Sequence, residues 1–229
     1  MNKKHYDFYE LIKDWTVSDF HTPGIKAEVI VDMLISDFIE DLLQYHYFGE
    51  KEERYQVVLL TKEFPIKLCE MNNRNAKVDY LVSMGDEKLI LVELKTTNDS
   101  FTEKQKNRMV NAVNAGSEEL MKFYKQIADL KTGNSSDREK YKNIFRQYEE
   151  TLSEAKLSGQ TFEKVDYLYI FLTYNKRSEK KLILRDYCKG NKYEKFCDWL
   201  SKGEKGEERR QLWEKISDIL LECAKNSEE

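Results

Sequence analysis

The sequence has few of the residues that break or cross-link a chain. Its 229 residues include only two prolines, nine glycines and four cysteines. Because proline and glycine mark loops and linkers, so few of them argue against long disordered segments. The cysteines form no CxxC pair and show no zinc-ligand spacing; they are Cys69, Cys188, Cys197 and Cys223. We expect them to be reduced thiols that bind neither a metal nor an iron–sulfur cluster.

Long apolar runs and an excess of positive charge are also missing. No stretch approaches the roughly 18 apolar residues of a membrane-spanning helix. The start, MNKKHYDFYELIKDW, has neither an apolar signal region nor a small-residue cleavage site. The net charge of −4 and the pI of about 5.7 argue against a protein that coats nucleic acid by bulk charge. We therefore expect a cytoplasmic protein without a membrane partner. The net charge does not exclude an enzyme that binds phosphates through a metal ion and a local basic patch.

Apolar periodicity predicts alternating helices and strands. Helices are predicted at 6–15, 25–48, from about 102 towards 130, 138–157, 193–200 and 208–223. Thr22 and Pro23 form a helix-start signal, and Gly116 is a candidate break within the long helix. Extended segments are predicted at 55–68, 77–83, 88–96, 165–173 and 181–187, with a loop at 131–137. The order predicts an α/β fold, a mixed sheet with helices packed against it, in a single domain over residues 1–229.

The stretch 76–97, AKVDYLVSMGDEKLILVELKTT, carries the strongest chemical signal. Its two apolar runs flank a short Gly- and Asp-containing break, a pattern typical of a β-hairpin. If the turn is centred on Asp86, Asp79 lies opposite Glu93, with Cβ atoms about 5 Å apart. A slip of one residue would put the two side chains on opposite faces of the sheet.

Two opposed carboxylates repel each other unless a cation lies between them. A hard divalent ion takes oxygen ligands at roughly 2.0–2.6 Å and would relieve that repulsion. Because side chains alternate along a strand, Lys95 shares the face of Glu93 and would stand beside the ion as a positive donor. The residues therefore predict a small oxygen-ligand metal site with an adjacent lysine.

The pattern Asp79, then Glu93-Leu94-Lys95, resembles the PD-(D/E)xK nuclease superfamily, which has the restriction-endonuclease-like fold. VDY supplies the aspartate and VELK supplies the ExK. The resemblance covers about residues 25–173, and 174–229 would form a terminal strand and extra helices. It implies an α/β/α domain with a mixed central sheet. It also implies hydrolysis of phosphodiester bonds in nucleic acid, DNA in preference to RNA, with Mg²⁺ or Mn²⁺.

The resemblance also implies roles for single residues. Asp79, Glu93 and the backbone carbonyl of Leu94 would hold the metal. Lys95 would orient the attacking water and stabilise charge developing on the phosphate. Glu28, soon after a glycine on the first core helix, would complete the metal site or bind through water.

A weaker match to the family follows the ExK. Gln105 occupies the first position of the family's Gln-x-x-x-Tyr signature, but Met109 stands where the tyrosine would be. Basic side chains on the same helix could contact the phosphate backbone of a nucleic acid without reading its sequence; they are Lys104, Lys106 and Arg108.

Each of these residues also has a plainer interpretation. The charges on the hairpin could form a solvated ladder on an exposed face of the sheet. Glu28 could be a first-turn glutamate that interacts with the helix dipole, and Gln105 a helix-start residue. Asp166 lies in a second VDY with no ExK after it, which favours a structural role.

The function also has alternatives from other classes. The protein could be a catalytically inactive nuclease-fold protein that acts as an interaction module or subunit. It could instead be a phosphodiesterase of small nucleotides. A homodimer or a partner protein is compatible with all three.

Overall fold

The computed structural model describes residues 27–50, 56–66, 76–97, 101–129 and 135–226. The predicted helix at 6–15, the helix-start signal at Thr22 and Pro23, and Cys69 lie outside the described residues. The described chain is an α/β protein with helices and a five-stranded sheet. Its helices are α1 (Ala27–Ile35), α2 (Ile39–Phe48), α3 (Glu103–Asp129), α4 (Ser135–Glu154), α5 (Asn191–Ser201) and α6 (Gly206–Asn226). Its strands are β1 (Val57–Ile66), β2 (Ala76–Met84), β3 (Lys88–Lys95), β4 (Lys164–Phe171) and β5 (Lys181–Ile183).

The strands are ordered β1-β2-β3-β4-β5, and β2 is antiparallel to both β1 and β3. The next pair is parallel. Lys164 N donates to Glu87 O, and Leu172 N donates to Lys95 O, both at 3.0 Å, so the bonds advance in the same direction on both strands. The sheet is therefore mixed, as the order of elements predicted. Pro65 lies in β1 at the edge of the sheet, where its missing N–H is tolerated.

Three predicted boundaries were wrong. The helix at 25–48 is interrupted by a 3-10 turn, Ser36–Phe38, where Ser36 Oγ donates to Met33 O at 3.1 Å. Such bonds from a side chain to the preceding turn bend helices. The strand at 181–187 keeps only three residues and continues as a 3-10 turn, Leu184–Tyr187. Helix α4 begins at Ser135, inside the predicted loop.

The described residues form two compact units. The first unit holds the described residues of 1–52, 94–100 and 170–229, and the second unit holds those of 53–93 and 101–169. In the first unit, the Phe38 and Trp213 rings pack 5.0 Å apart, and Trp213 Nε1 donates to Tyr187 O at 2.8 Å. In the second unit, α3 and α4 pack on β1, and the Tyr124 ring contacts Phe64 at 4.9 Å. Each unit therefore has its own aromatic core.

The predicted break at Gly116 is confirmed, because this residue has φ 79° and ψ 170° inside α3. Only glycine adopts this backbone region without strain. A Cβ at Gly116 would meet nothing within 4 Å, so a side chain would strain the backbone without a steric clash. Gly116→Ala should lower the free energy of unfolding by about 1–3 kcal/mol, measured by urea denaturation. Ala115→Ser on the exposed neighbour is the control, and a Gly116→Ala variant as stable as wild type would contradict the assignment.

His46 makes the stability of the protein depend on pH. Burial, and next the charge of Lys192, lower the pKa of His46 from 6.5 to about 4. Its Nδ1 lies 3.2 Å from Tyr187 Oη. Between pH 6.5 and 4, His46 is protonated in the unfolded chain but stays neutral in the folded protein. The free energy of unfolding should therefore fall by up to about 1.4 kcal/mol per pH unit as the pH drops through this window.

Urea denaturation at pH 7, 6 and 5 tests this dependence on the wild type and on His46→Gln. The variant cannot take up the proton, so its stability should fall less steeply over the same range. Parallel pH profiles for the two proteins would show that His46 is not the cause.

Candidate active site

The β2–β3 hairpin has the register that the sequence predicted. Its paired residues run from Met84 with Lys88 to Tyr80 with Val92, and each pair is symmetric about Asp86. Continued by one residue, this register places Asp79 opposite Glu93. Directly opposed residues of an antiparallel pair point to the same face of the sheet. This is the register that the predicted carboxylate pair requires, and the pair itself stays a prediction.

The carboxylate pair lies in apolar surroundings. Asp79 and Glu93 are both half-buried, and the paired residues two positions along the same strand faces, Leu81 and Leu91, are fully buried. Partial burial strengthens the repulsion between like charges because less water screens them. This disfavours the alternative of a solvated ladder on an exposed face of the sheet.

Glu93 lines a small pocket of the second unit. Gln105, Arg108 and Met109 of α3 form one wall, and Lys77 of β2 lies on another. The pocket has a volume of about 10 Å³, close to the room that one water molecule needs. It therefore has room for about one water molecule.

Gln105 takes part in starting α3. Thr102 N donates to Gln105 Oε1 at 3.0 Å, and Gln105 N donates to Thr102 Oγ1 at 3.3 Å. These reciprocal bonds form a capping box, so the helix-start interpretation of Gln105 is confirmed. Because the same side chain lines the pocket beside Glu93, capping also fixes its position there.

Lys95 and Glu28 are brought together in the first unit. Lys95 Nζ lies 3.7 Å from Glu28 Oε1, and the side chains are 4% and 40% exposed. A buried ammonium is costly unless it is paired, which gives Glu28 of α1 a defined role beside Lys95. Leu94, whose carbonyl belongs to the predicted metal set, is fully buried in β3.

Asp166 has the structural role that its sequence context favours. Its Oδ2 lies 3.0 Å from Lys88 Nζ, and its Oδ1 accepts a hydrogen bond from Tyr167 N at 2.8 Å. The carboxylate therefore ties the start of β3 to β4.

Sequence reasoning missed Tyr169, a buried residue of β4 in the second unit. Burial raises the pKa of Tyr169, and the charge of Glu93 raises it further, followed by Tyr167 and Glu103. The Glu93 carboxylate is therefore close enough for its charge to act on this phenol. No sequence signal could have found this neighbour, because it depends on the parallel register of β3 and β4.

The donor chemistry of the hairpin fits Mg²⁺ or Mn²⁺. Among the described residues, no group of three or more His, Cys, Asp or Glu side chains is placed to hold a metal ion. Mg²⁺ does not require such a cage, because it is commonly bound by one or two carboxylates with waters and substrate phosphates. Three of the cysteines are buried and form no disulfide among the described residues; they are Cys188, Cys197 and Cys223.

Comparison of the chain with protein-family models, with curated proteins and with solved structures finds no match. Within the part of the chain that the structure describes, no helix is both long and apolar enough to cross a membrane. The described part of the chain is therefore an α/β protein with a five-stranded mixed sheet, whose β2–β3 hairpin is symmetric about Asp86.

Proposed function

We propose that the protein is a metal-dependent nuclease that hydrolyses phosphodiester bonds in nucleic acid, DNA in preference to RNA. The observation that carries this proposal is the hairpin register, which is symmetric about Asp86 and, continued by one residue pair, would set Asp79 opposite Glu93. Lys95 follows Glu93 by two positions on β3, so strand alternation gives these two side chains the same face.

The order of elements supports the proposal. A helix precedes three antiparallel strands, and helices then lead to a strand parallel to β3. This is the arrangement implied by the resemblance to the PD-(D/E)xK superfamily. The segment after Thr173 lies outside that resemblance, and β5, α5 and α6 are an addition to the proposed core. A cytoplasmic location and a homodimer or partner protein stay predictions.

The carboxylates of Asp79 and Glu93, with the carbonyl of Leu94, would hold Mg²⁺ or Mn²⁺. When bound, the ion would supply Lewis-acid chemistry that polarises the scissile phosphate and lowers the pKa of a water. The side chains of Asp79 and Glu93 would supply negative charge to the ion and would fix its position. Because hairpin pairing holds both strands, they need little reorganisation before the reaction.

Lys95 would orient the attacking water and stabilise negative charge on the phosphate. Its burial restricts the ammonium to few positions, and the 3.7 Å contact with Glu28 orients it further. Glu28 has a second proposed role as an oxygen ligand, directly or through water. Its 40% exposure leaves its carboxylate accessible for that.

The proposal is tested with a panel of single- and double-stranded DNA and RNA, incubated with Mg²⁺ or Mn²⁺. Wild-type protein should cleave at least one polymer, and Asp79→Ala should not. Cleavage of a dinucleotide alone would favour a small-nucleotide phosphodiesterase. No cleavage of any substrate by folded wild-type protein would favour the inactive interaction module.

A further inference from the structure

Tyr174 is the only exposed aromatic side chain among the residues that the structure describes. It lies between β4 and β5, where it is 61% exposed, whereas Tyr45 and Tyr187 of the same unit are buried. An aromatic ring gains free energy when its apolar faces leave water. The ring of Tyr174 therefore offers a flat apolar surface that a ligand can cover.

The backbone next to Tyr174 is held in place by polar contacts. Asn175 is buried, and its Oδ1 accepts a hydrogen bond from Arg177 N at 2.7 Å, the pattern of an Asx turn. Lys181 Nζ donates a hydrogen bond to Asn175 O. The same ammonium lies 5.3 Å from the centre of the Tyr174 ring, within the range of a cation–π interaction. The ring is therefore positioned before a ligand arrives, which lowers the entropic cost of binding.

The segment around the ring is basic in a chain that is acidic overall. Residues 174–181 (the basic segment) contain four cationic side chains and one carboxylate, a net charge of +3, whereas the whole chain carries −4. Three of the cations are exposed; they are Lys176, Arg177 and Lys180. A local excess of positive charge raises the concentration of an anionic ligand beside the ring.

The basic segment begins close to the proposed catalytic lysine. Leu172 N donates to Lys95 O at 3.0 Å, so the carboxyl ends of β3 and β4 meet at one edge of the sheet. Paired strands lie about 5 Å apart and two residues span at most about 7 Å, which puts the Cα of Tyr174 within roughly 12 Å of the Cα of Lys95. A strand bound at Lys95 can therefore reach Tyr174 within roughly four nucleotides, since a stacked strand advances about 3.4 Å per nucleotide.

A flat aromatic face beside several cations fits a nucleic-acid strand with an unpaired base. Every base can stack on an aromatic ring, and cations beside the ring bind the neighbouring phosphates. In a duplex the faces of each base are covered by the neighbouring base pairs, so an intact duplex cannot use the ring in this way.

We propose that Tyr174 stacks on an unpaired base of a single-stranded DNA substrate, and that Lys176 contacts a neighbouring phosphate. This rests on the proposed function and deepens it, because it narrows the substrate to DNA that is single-stranded beside the cleavage site. Stacking tolerates any base, so binding at this point does not depend on the sequence of the DNA. Tyr174 is a binding residue, and the cleavage chemistry stays with the β2–β3 hairpin.

Anisotropy titrations of the full chain in EDTA compare three fluorescent probes. The probes are a short oligodeoxythymidylate, an abasic deoxyribose-phosphate oligomer of the same length, and a blunt DNA duplex. Wild type should bind the oligodeoxythymidylate about tenfold more tightly than the abasic oligomer, as expected for one stacked base. Tyr174→Ala should remove this difference. Its affinities for the abasic oligomer and for the duplex should stay within about twofold of wild type, because neither probe offers a base to the ring.

Three further variants separate stacking from other effects. Tyr174→Phe keeps the ring and should bind all three probes like wild type. Met33→Ala, which removes a different exposed apolar side chain of the same unit, is the matched control and should change no affinity. Lys176→Met should lower the salt dependence of binding by about one phosphate contact. Tyr174→Ala should leave the salt dependence unchanged, because the tyrosine carries no charge.

The outcomes separate the two proposals. If wild type cleaves DNA in Mg²⁺ and Tyr174→Ala binds the oligodeoxythymidylate equally well, the stacking site is overturned and the nuclease stands. If wild type binds the oligodeoxythymidylate without cleaving DNA and Tyr174→Ala loses that affinity, the nuclease fails and the stacking site stands. Tighter binding of the duplex than of the oligodeoxythymidylate by wild type overturns the stacking site, and so does binding of none of the probes. Should Tyr174→Ala not fold, Tyr174→Leu keeps the apolar bulk without the ring and decides in the same way.

Discussion

Replacing Lys95 by methionine is expected to lower the rate of Mg²⁺-dependent phosphodiester cleavage by about 100-fold or more. The ammonium would lose its role of orienting water and stabilising charge on the phosphate. The fold should persist, because methionine is an apolar side chain of similar length for a position that is 4% exposed. Its partner Glu28 is 40% exposed and can be solvated once the lysine is gone.

Cleavage rates and melting curves of Lys95→Met and Lys62→Met test this expectation together. Lys62 is an exposed lysine of β1, so its replacement controls for the loss of one positive charge. A wild-type rate in folded Lys95→Met would remove Lys95 from the mechanism. A large drop in the melting temperature of Lys95→Met would show that Lys95 is needed to stabilise the fold.

Addition of Mg²⁺ or Mn²⁺ should stabilise the wild-type protein, and the loss of either hairpin carboxylate should abolish this effect. A ligand at about 100 times its dissociation constant stabilises a folded protein by about 2.7 kcal/mol. For a chain of this size that corresponds to a rise in melting temperature of roughly 5–10 °C. The melting temperatures of Asp79→Asn and Glu93→Gln should rise very little when the metal is added. Each substitution removes half of the negative charge that attracts the ion.

In EDTA the same variants should respond in the opposite direction. The proposed pair would set two like charges opposite each other across the hairpin, so neutralising one of them should raise the free energy of unfolding by about 1 kcal/mol. Glu87→Gln, which removes an exposed carboxylate in the turn, is the matched control and should have little effect in either buffer. Equal melting behaviour of wild type and Asp79→Asn, with and without the metal, would contradict the carboxylate pair.

Local chemistry made the hairpin predictable from the sequence. The short turn, the apolar alternation and the need to keep one face buried together allow a single register, which is the observed one about Asp86. The break at Gly116 was predictable for a similar reason, since glycine is the residue that tolerates its backbone conformation. Both features depend on residues that are close in sequence.

Contacts between distant segments could not be predicted in the same way. The approach of Glu28 to Lys95 depends on how α1 packs, and periodicity carries no information on that. The place of Tyr169 beside Glu93 depends on the parallel pairing of β3 and β4, which the sequence left open.

Isothermal titration calorimetry of Mn²⁺ into wild-type protein, Asp79→Asn and Glu87→Gln tests the central claim most directly. The claim is that Asp79 and Glu93 together bind a divalent ion. Wild type and Glu87→Gln should show one saturable site for which Mg²⁺ competes, and Asp79→Asn should bind at least about tenfold more weakly. Equal affinities in all three proteins, or no binding to wild type, would contradict the claim.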